Sequence, residues 1–124
     1  MKKIILLSIL LTQITASALE VDVLTFNIRF DNANDGDNAW PKRAVMVGEW
    51  IKSESPDVIG LQEALRHQIN DIRKMASSYS EYGVGRDDGK SRGEHCSVLY
   101  LKDRFKLDKK DCGTFWFSDT PEKI

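Results

Sequence analysis

Apolar and polar side chains alternate over residues 21–28, with Val21, Val23 and Phe26 among the strand formers. This period of two predicts a first strand that ends in the polar side chains Asn27 and Arg29. Residues 31–38 are rich in turn formers and predict a loop. Pro41 then stands where a helix can begin, Val47, Trp50 and Ile51 share a helical face, and Ser55-Pro56-Asp57 stops it. Residues 58–62 are almost wholly apolar, which predicts a short strand covered on both faces. A second helix follows at once, with Leu65, Ile69, Ile72 and Met75 or Ala76 on one side, fraying at Ser77-Ser78-Tyr79. Strands are expected next at residues 82–86, 95–101, 105–107 and 111–117. Two β/α units followed by hairpins predict the α/β (α+β) class: a mixed β-sheet with helices on one face. Residues 118–124 carry turn signals and no closing element, so a long edge and an apolar face are expected to stay open and the chain reads as cut short.

The amino terminus changes the picture of where this fold works. Met1-Lys2-Lys3 is a basic start, Ile4 to Leu11 an apolar run, and Ala16-Ser17-Ala18 a small-residue cleavage pattern, which together predict a signal peptide at residues 1–18. The apolar run is too short to cross a bilayer comfortably. The mature chain, residues 19–124, is therefore expected to be secreted or periplasmic, without a membrane span. Removing Lys2 and Lys3 leaves it more acidic than the formal −1 of the whole sequence. Such a charge argues against a basic groove that binds nucleic acid by neutralising phosphates. It is compatible with phosphoester chemistry, because a bound divalent cation supplies positive charge. Cys96 and Cys112 flank the turn at Lys102-Asp103-Arg104 at similar distances, so a hairpin could set them opposite each other as a disulfide; two buried free thiols are the alternative.

Most candidate motifs fail on inspection. Asp31-Asn32-Ala33-Asn34-Asp35-Gly36 starts like a calcium loop, but Ala33 and Lys42 occupy positions that need oxygen ligands. Gly85 to Ser91 has the composition of a phosphate-binding loop with its first glycine out of place and no helix to follow, so it reads as a hairpin loop. There is no nucleophile elbow, no His-Glu-x-x-His pair and no paired Cys-x-x-Cys. His67 and His95 read as surface or packed histidines, and Trp40, Trp50 and Trp116 as core or loop-packing residues.

Glu63 stands out, because a short apolar strand ends by presenting its carboxylate. A carboxylate at the C-terminal end of a strand is how α/β enzymes hold a hard cation against a substrate. Three stretches occur in order: Thr25-Phe26-Asn27-Ile28-Arg29, then Asp57-Val58-Ile59-Gly60-Leu61-Gln62-Glu63-Ala64, then Gly93-Glu94-His95-Cys96-Ser97-Val98-Leu99-Tyr100. This ordered set resembles the amino-terminal motifs of the endonuclease/exonuclease/phosphatase superfamily, metal-dependent phosphoesterases that share the pancreatic deoxyribonuclease fold. Residues 34–40, 83–89 and 113–122 further resemble an exported bacterial branch of it.

The resemblance implies the amino-terminal half of a four-layer α/β/β/α sandwich, a phosphoester substrate (small molecule or nucleic acid) and a monomer when complete. It implies Glu63 as the acidic ligand of a catalytic Mg2+ or Mn2+, Asn27 beside that ion, and Glu94 as the acid that orients a catalytic histidine from elsewhere. Taken residue by residue, Glu63 also reads as a helix cap, Asn27 as a strand-end hydrogen-bonding residue and Glu94 as an exposed hairpin acid. Arg29 and Arg86 read equally as phosphate contacts or as surface ion pairs. The family's Gly-Asp-x-Asn and Ser-Asp-His motifs do not occur in the sequence. Residues 19–124 alone are thus expected to be unstable and inactive. Two functions remain open: part of a metal-dependent phosphoester hydrolase, or a non-catalytic exported binding domain that keeps the scaffold.

Overall fold

A computed structural model of the chain describes residues 19–124, and the expected signal peptide lies outside the described residues. The alternating segment forms β1 (Val23–Asn27), and a single 3-10 turn at Gly36–Asn38 leads into α1 (Trp40–Glu54). Pro41 sits in the first turn of α1, where a missing N–H costs nothing. Ser55 ends the helix in the left-handed conformation, its N–H bonded to Ile51 O at 3.0 Å. Next come β2 (Val58–Gln62), α2 (Arg66–Met75), β3 (Tyr79–Tyr82) and β4 (Val98–Leu101).

The four strands form one mixed sheet in the order β1-β2-β4-β3. β1 and β2 run parallel through the α1 crossover, β4 runs antiparallel to β2, and β3 antiparallel to β4. The fold class is as expected from the sequence. Ile59, Leu61 and Leu99 point from the sheet into a core shared with Val47, Ile51, Ile69 and Ile72 of the two helices. The helices approach closely at Gly48, where any Cβ would collide with Met75. Trp40 is buried, Trp50 meets Phe26 edge to face with ring centroids 5.5 Å apart, and Trp116 is half-buried.

Several expectations are corrected. β2 is covered on one face only: Ile59 and Leu61 are buried, whereas Val58, Gly60 and Gln62 alternate onto the opposite, partly exposed face. Both helices lie on the same side, and on the other face Trp116 and its neighbours approach the sheet at Tyr82 and Val98. Residues 105–107 and 111–117 are not strands, and the third strand is Tyr79–Tyr82 rather than 82–86. The reason is that β4 lies between β2 and β3, with both edges already paired, so no edge is left for a partner that follows it in the chain. Without that hairpin Cys96 and Cys112 are not bridged. Both thiols are free, Cys96 exposed and Cys112 half-buried, which also departs from the buried-thiol alternative.

Candidate active site at the ends of the parallel strands

The parallel register pairs Val23 with Val58 and Asn27 with Gln62, so β1 and β2 finish side by side. The ladder runs one bond further, from Ile28 N to Gln62 O at 3.2 Å. The next residue, Glu63, has φ +57°, and Arg29 on the neighbouring strand end has φ +58°. Non-glycine residues in the left-handed region are uncommon and concentrate where the surrounding structure fixes them for a purpose. Here the two strained residues sit next to each other across the sheet.

Asn27 joins the two strand ends. Its Oδ1 accepts from Arg29 N at 2.9 Å, which fixes the amide so that Nδ2 donates to Glu63 Oε1 at 2.8 Å. Phe30 N donates to Glu63 Oε2 at 3.4 Å. The hydrogen bond from Asn27, then that from Phe30, and the Arg29 charge hold the Glu63 carboxyl below the usual glutamate range. Glu63 is therefore an oriented carboxylate at neutral pH. Arg29 forks onto Asp35 at 2.6 and 2.8 Å, so the surface-pair reading of this arginine is the one observed.

Glu94 is placed by a different route. Ala64 and His95 form an isolated antiparallel bridge, which carries Glu94 to the strand end that bears Glu63. Its carboxylate is bonded by Arg86 at 2.6 Å and not by Asn27 or Glu63. Arg86 and Glu94 form the polar end of a cavity of about 410 Å³ walled by Tyr82, Val84, Val98 and Trp116. His67 Nε2 meets Asp31 Oδ2 at 3.0 Å on the surface. His95 is buried, with Nδ1 facing Gly93 O at 3.0 Å and Ala64 O at 3.2 Å, so the ring proton belongs on Nδ1. Burial first, and the Arg66 charge second, push its pKa down.

Among the described residues no group of three or more His, Cys, Asp or Glu side chains is placed to hold a metal. The donor set at the strand ends fits a hard cation that takes one carboxylate and keeps several waters, as Mg2+ does. Glu63 supplies the charged oxygen. Asn27 Oδ1 retains a lone pair beyond the one that Arg29 N occupies.

Two residues that hold these loops escaped the sequence reading. Gln68 is buried in the first turn of α2 and bonds Leu65 N, Asp31 N and Arg29 O. A glutamine at the third helical position is half of a capping box, and that signal was available in the sequence. Arg43 on α1 donates to Asn38 O at 2.5 Å, Ile28 O at 2.8 Å and Arg29 O at 3.3 Å. Backbone acceptors leave no sequence mark, so nothing could have singled it out.

A strand-end carboxylate bonded by an asparagine stands on a mixed sheet backed by two helices, which places the chain among the α/β proteins. The chain belongs to the endonuclease/exonuclease/phosphatase family, whose model matches residues 24–122. It is similar to an endonuclease/exonuclease/phosphatase from Bacteroides vulgatus at 40% identity and TM-score 0.79, over 84% of this chain and 39% of that one. It is similar to a mannosyl-6-phosphatase from Bacteroides thetaiotaomicron at 33% identity and TM-score 0.77, over 83% and 39%. A functionally unknown conserved protein from Enterococcus faecalis shares 27% identity at TM-score 0.72, over 83% and 39%. The chain thus spans about two-fifths of the length of these solved structures. No curated protein matches it.

Proposed function

We propose that the domain to which these residues belong is an exported phosphoester hydrolase that depends on a divalent cation, Mg2+ or Mn2+, held at Glu63. The observation that carries this reading is the Glu63 carboxylate itself: ionised, kept in a strained conformation and aimed by Asn27. A hard cation bound there would neutralise charge on the non-bridging oxygens and the leaving group of a phosphoester. Glu63 would hold it, Asn27 would fix the carboxylate and lie beside the ion, and Glu94 would orient a histidine supplied from elsewhere in the domain. The leader pattern at residues 1–18 supports export. Similarity to the mannosyl-6-phosphatase, together with the acidic charge, favours a small phosphoester such as a phosphorylated sugar over duplex nucleic acid.

The test is a chimera in which residues 24–122 replace the matching stretch of the mannosyl-6-phosphatase, assayed on a phosphorylated mannose in Mg2+. Turnover abolished by chelation is expected. Glu63→Gln should then lower kcat by roughly 10²-fold or more, the scale of several kcal/mol that metal-borne charge stabilisation supplies. A Glu63→Gln chimera as active as its parent refutes the assignment.

A further inference from the structure

The two strained residues at the site lie on different elements, and one side chain touches the backbone beside both. Gln68 is 0% exposed. Its Nε2 donates to Arg29 O at 2.9 Å, while its Oε1 accepts from Leu65 N at 2.9 Å and from Asp31 N at 3.2 Å. Arg29 O and Asp31 N bracket Phe30, whose N–H is the second donor to the Glu63 carboxylate. Leu65 lies two residues beyond Glu63 itself. A single buried amide therefore ties the loop after β1, the turn after β2 and the start of α2 into one unit.

We propose that Gln68 is a positioning residue: by clamping the Arg29–Asp31 loop to the Glu63–Leu65 turn, it sets the affinity of the Asn27–Glu63 pair for a divalent cation. The inference rests on the reading of Glu63 as a metal ligand. Both left-handed residues need neighbours that hold them in place, and a buried amide that satisfies three backbone groups at once does so in a dry setting where each bond counts most. Groups that orient a ligand from behind typically change metal affinity 10–100-fold when removed. Arg43 shares the load on Ile28 O and Arg29 O but reaches nothing on the Glu63 side. Of these two helix side chains, Gln68 is the one that spans both halves.

The test uses the full chain with Mn2+ as the probe, its binding followed by electron paramagnetic resonance up to millimolar concentration. Gln68→Met keeps the volume and removes all three bonds; Glu63→Gln is the reference. Gln68→Met is expected to bind Mn2+ about ten-fold more weakly, with native circular dichroism at the binding temperature and a lowered melting temperature, since three backbone groups lose a buried partner. Because coupling is reciprocal, saturating Mg2+ should slow hydrogen exchange at the Asp31 and Leu65 amides of the unsubstituted chain. Unchanged Mn2+ affinity in Gln68→Met, alongside lost affinity in Glu63→Gln, overturns the positioning role and leaves the metal site standing. Unchanged affinity in Glu63→Gln, or no Mn2+ binding by the unsubstituted chain, overturns both. Should Gln68→Met fail to fold, the exchange measurement decides, and amides indifferent to Mg2+ overturn the proposal.

Discussion

The loops at the ends of β1 and β2 and the stretch of residues 105–124 are both irregular, yet they are held in opposite ways. In the first, side chains from both helices reach in: Gln68 and Arg43 bond the backbone of residues 28–31, and Asn27 ties Glu63 across the gap. In the second, the bonds are local, such as Trp116 N to Pro121 O at 2.8 Å and Lys123 N to Thr120 O at 2.9 Å, and large apolar side chains stand in the open. Phe115 is 68% exposed and Phe117 100%. The absence of regular secondary structure therefore says little about order. What matters is whether a packed element supplies partners, and the chain spends those partners at the strand ends.

The sharpest contrast is in stability. Leu61, at 1% exposure, stands two residues before Glu63 and belongs to the core shared with both helices. Leu61→Ala should cost about 2–5 kcal/mol through lost burial and the cavity left behind. Phe117→Ala removes a larger side chain from a fully exposed position and should stay within about 0.5 kcal/mol. Urea midpoints of the two variants measured side by side check this, and equal losses would show that residues 105–124 pack as tightly as the core.

A second experiment reverses the sign. Glu63 holds φ +57°, which glycine adopts freely, and its two hydrogen bonds are exposed to solvent. Glu63→Gly should therefore stabilise the chain by about 1 kcal/mol while removing the proposed cation ligand. A destabilised Glu63→Gly would mean that the carboxylate serves the fold, and the helix-cap reading of this residue would return.

The elements that the sequence announced are those whose signal is local. Ser55-Pro56 ended α1, and the apolar run 58–62 was β2 to the residue, because sterics and periodicity act within a few positions. The strand pairing was misread for a reason that no local pattern holds: β4 is claimed on both edges by β2 and β3, so the following residues cannot pair with it however strand-like they are. The candidate site divides in the same way. Asn27 and Glu63 were legible because each ends a strand, and the parallel register brings them to 2.8 Å. Gln68 carried a local capping signal through Leu65, but its bonds to Asp31 N and Arg29 O, 37 and 39 residues away, and those of Arg43 to backbone carbonyls leave no mark in the sequence. Glu94 was read from its motif, but its bond to Arg86 depends on how the 85–93 loop folds back.

The smallest effect expected is one of pH, and it separates the buried frame of the site from its exposed acids. His95 bridges Ala64, one residue from Glu63, and its Nε2 is buried without a partner. The charged groups facing it are Arg66 of α2, which disfavours a second cation, and Glu81 of β3, which is already bonded by Arg66 at 3.1 Å and by Ser97 at 2.7 Å. With the folded-state pKa pushed below the ordinary 6.5, the unfolded chain binds the extra proton first as pH falls. The contribution of His95 is therefore complete above pH 6.5 and declines as the solution is acidified through the lowered pKa. Asp88, held at about 2 by the Arg92, Lys90 and Ser91 amides, loses its contribution only in stronger acid. Melting temperature measured from about pH 7 to about pH 5 should fall in the unsubstituted chain. His95→Asn keeps a donor for Gly93 O without a titrating ring and should flatten that fall. Equal slopes in the two proteins would place the acid sensitivity elsewhere and leave His95 a packing residue beside the site.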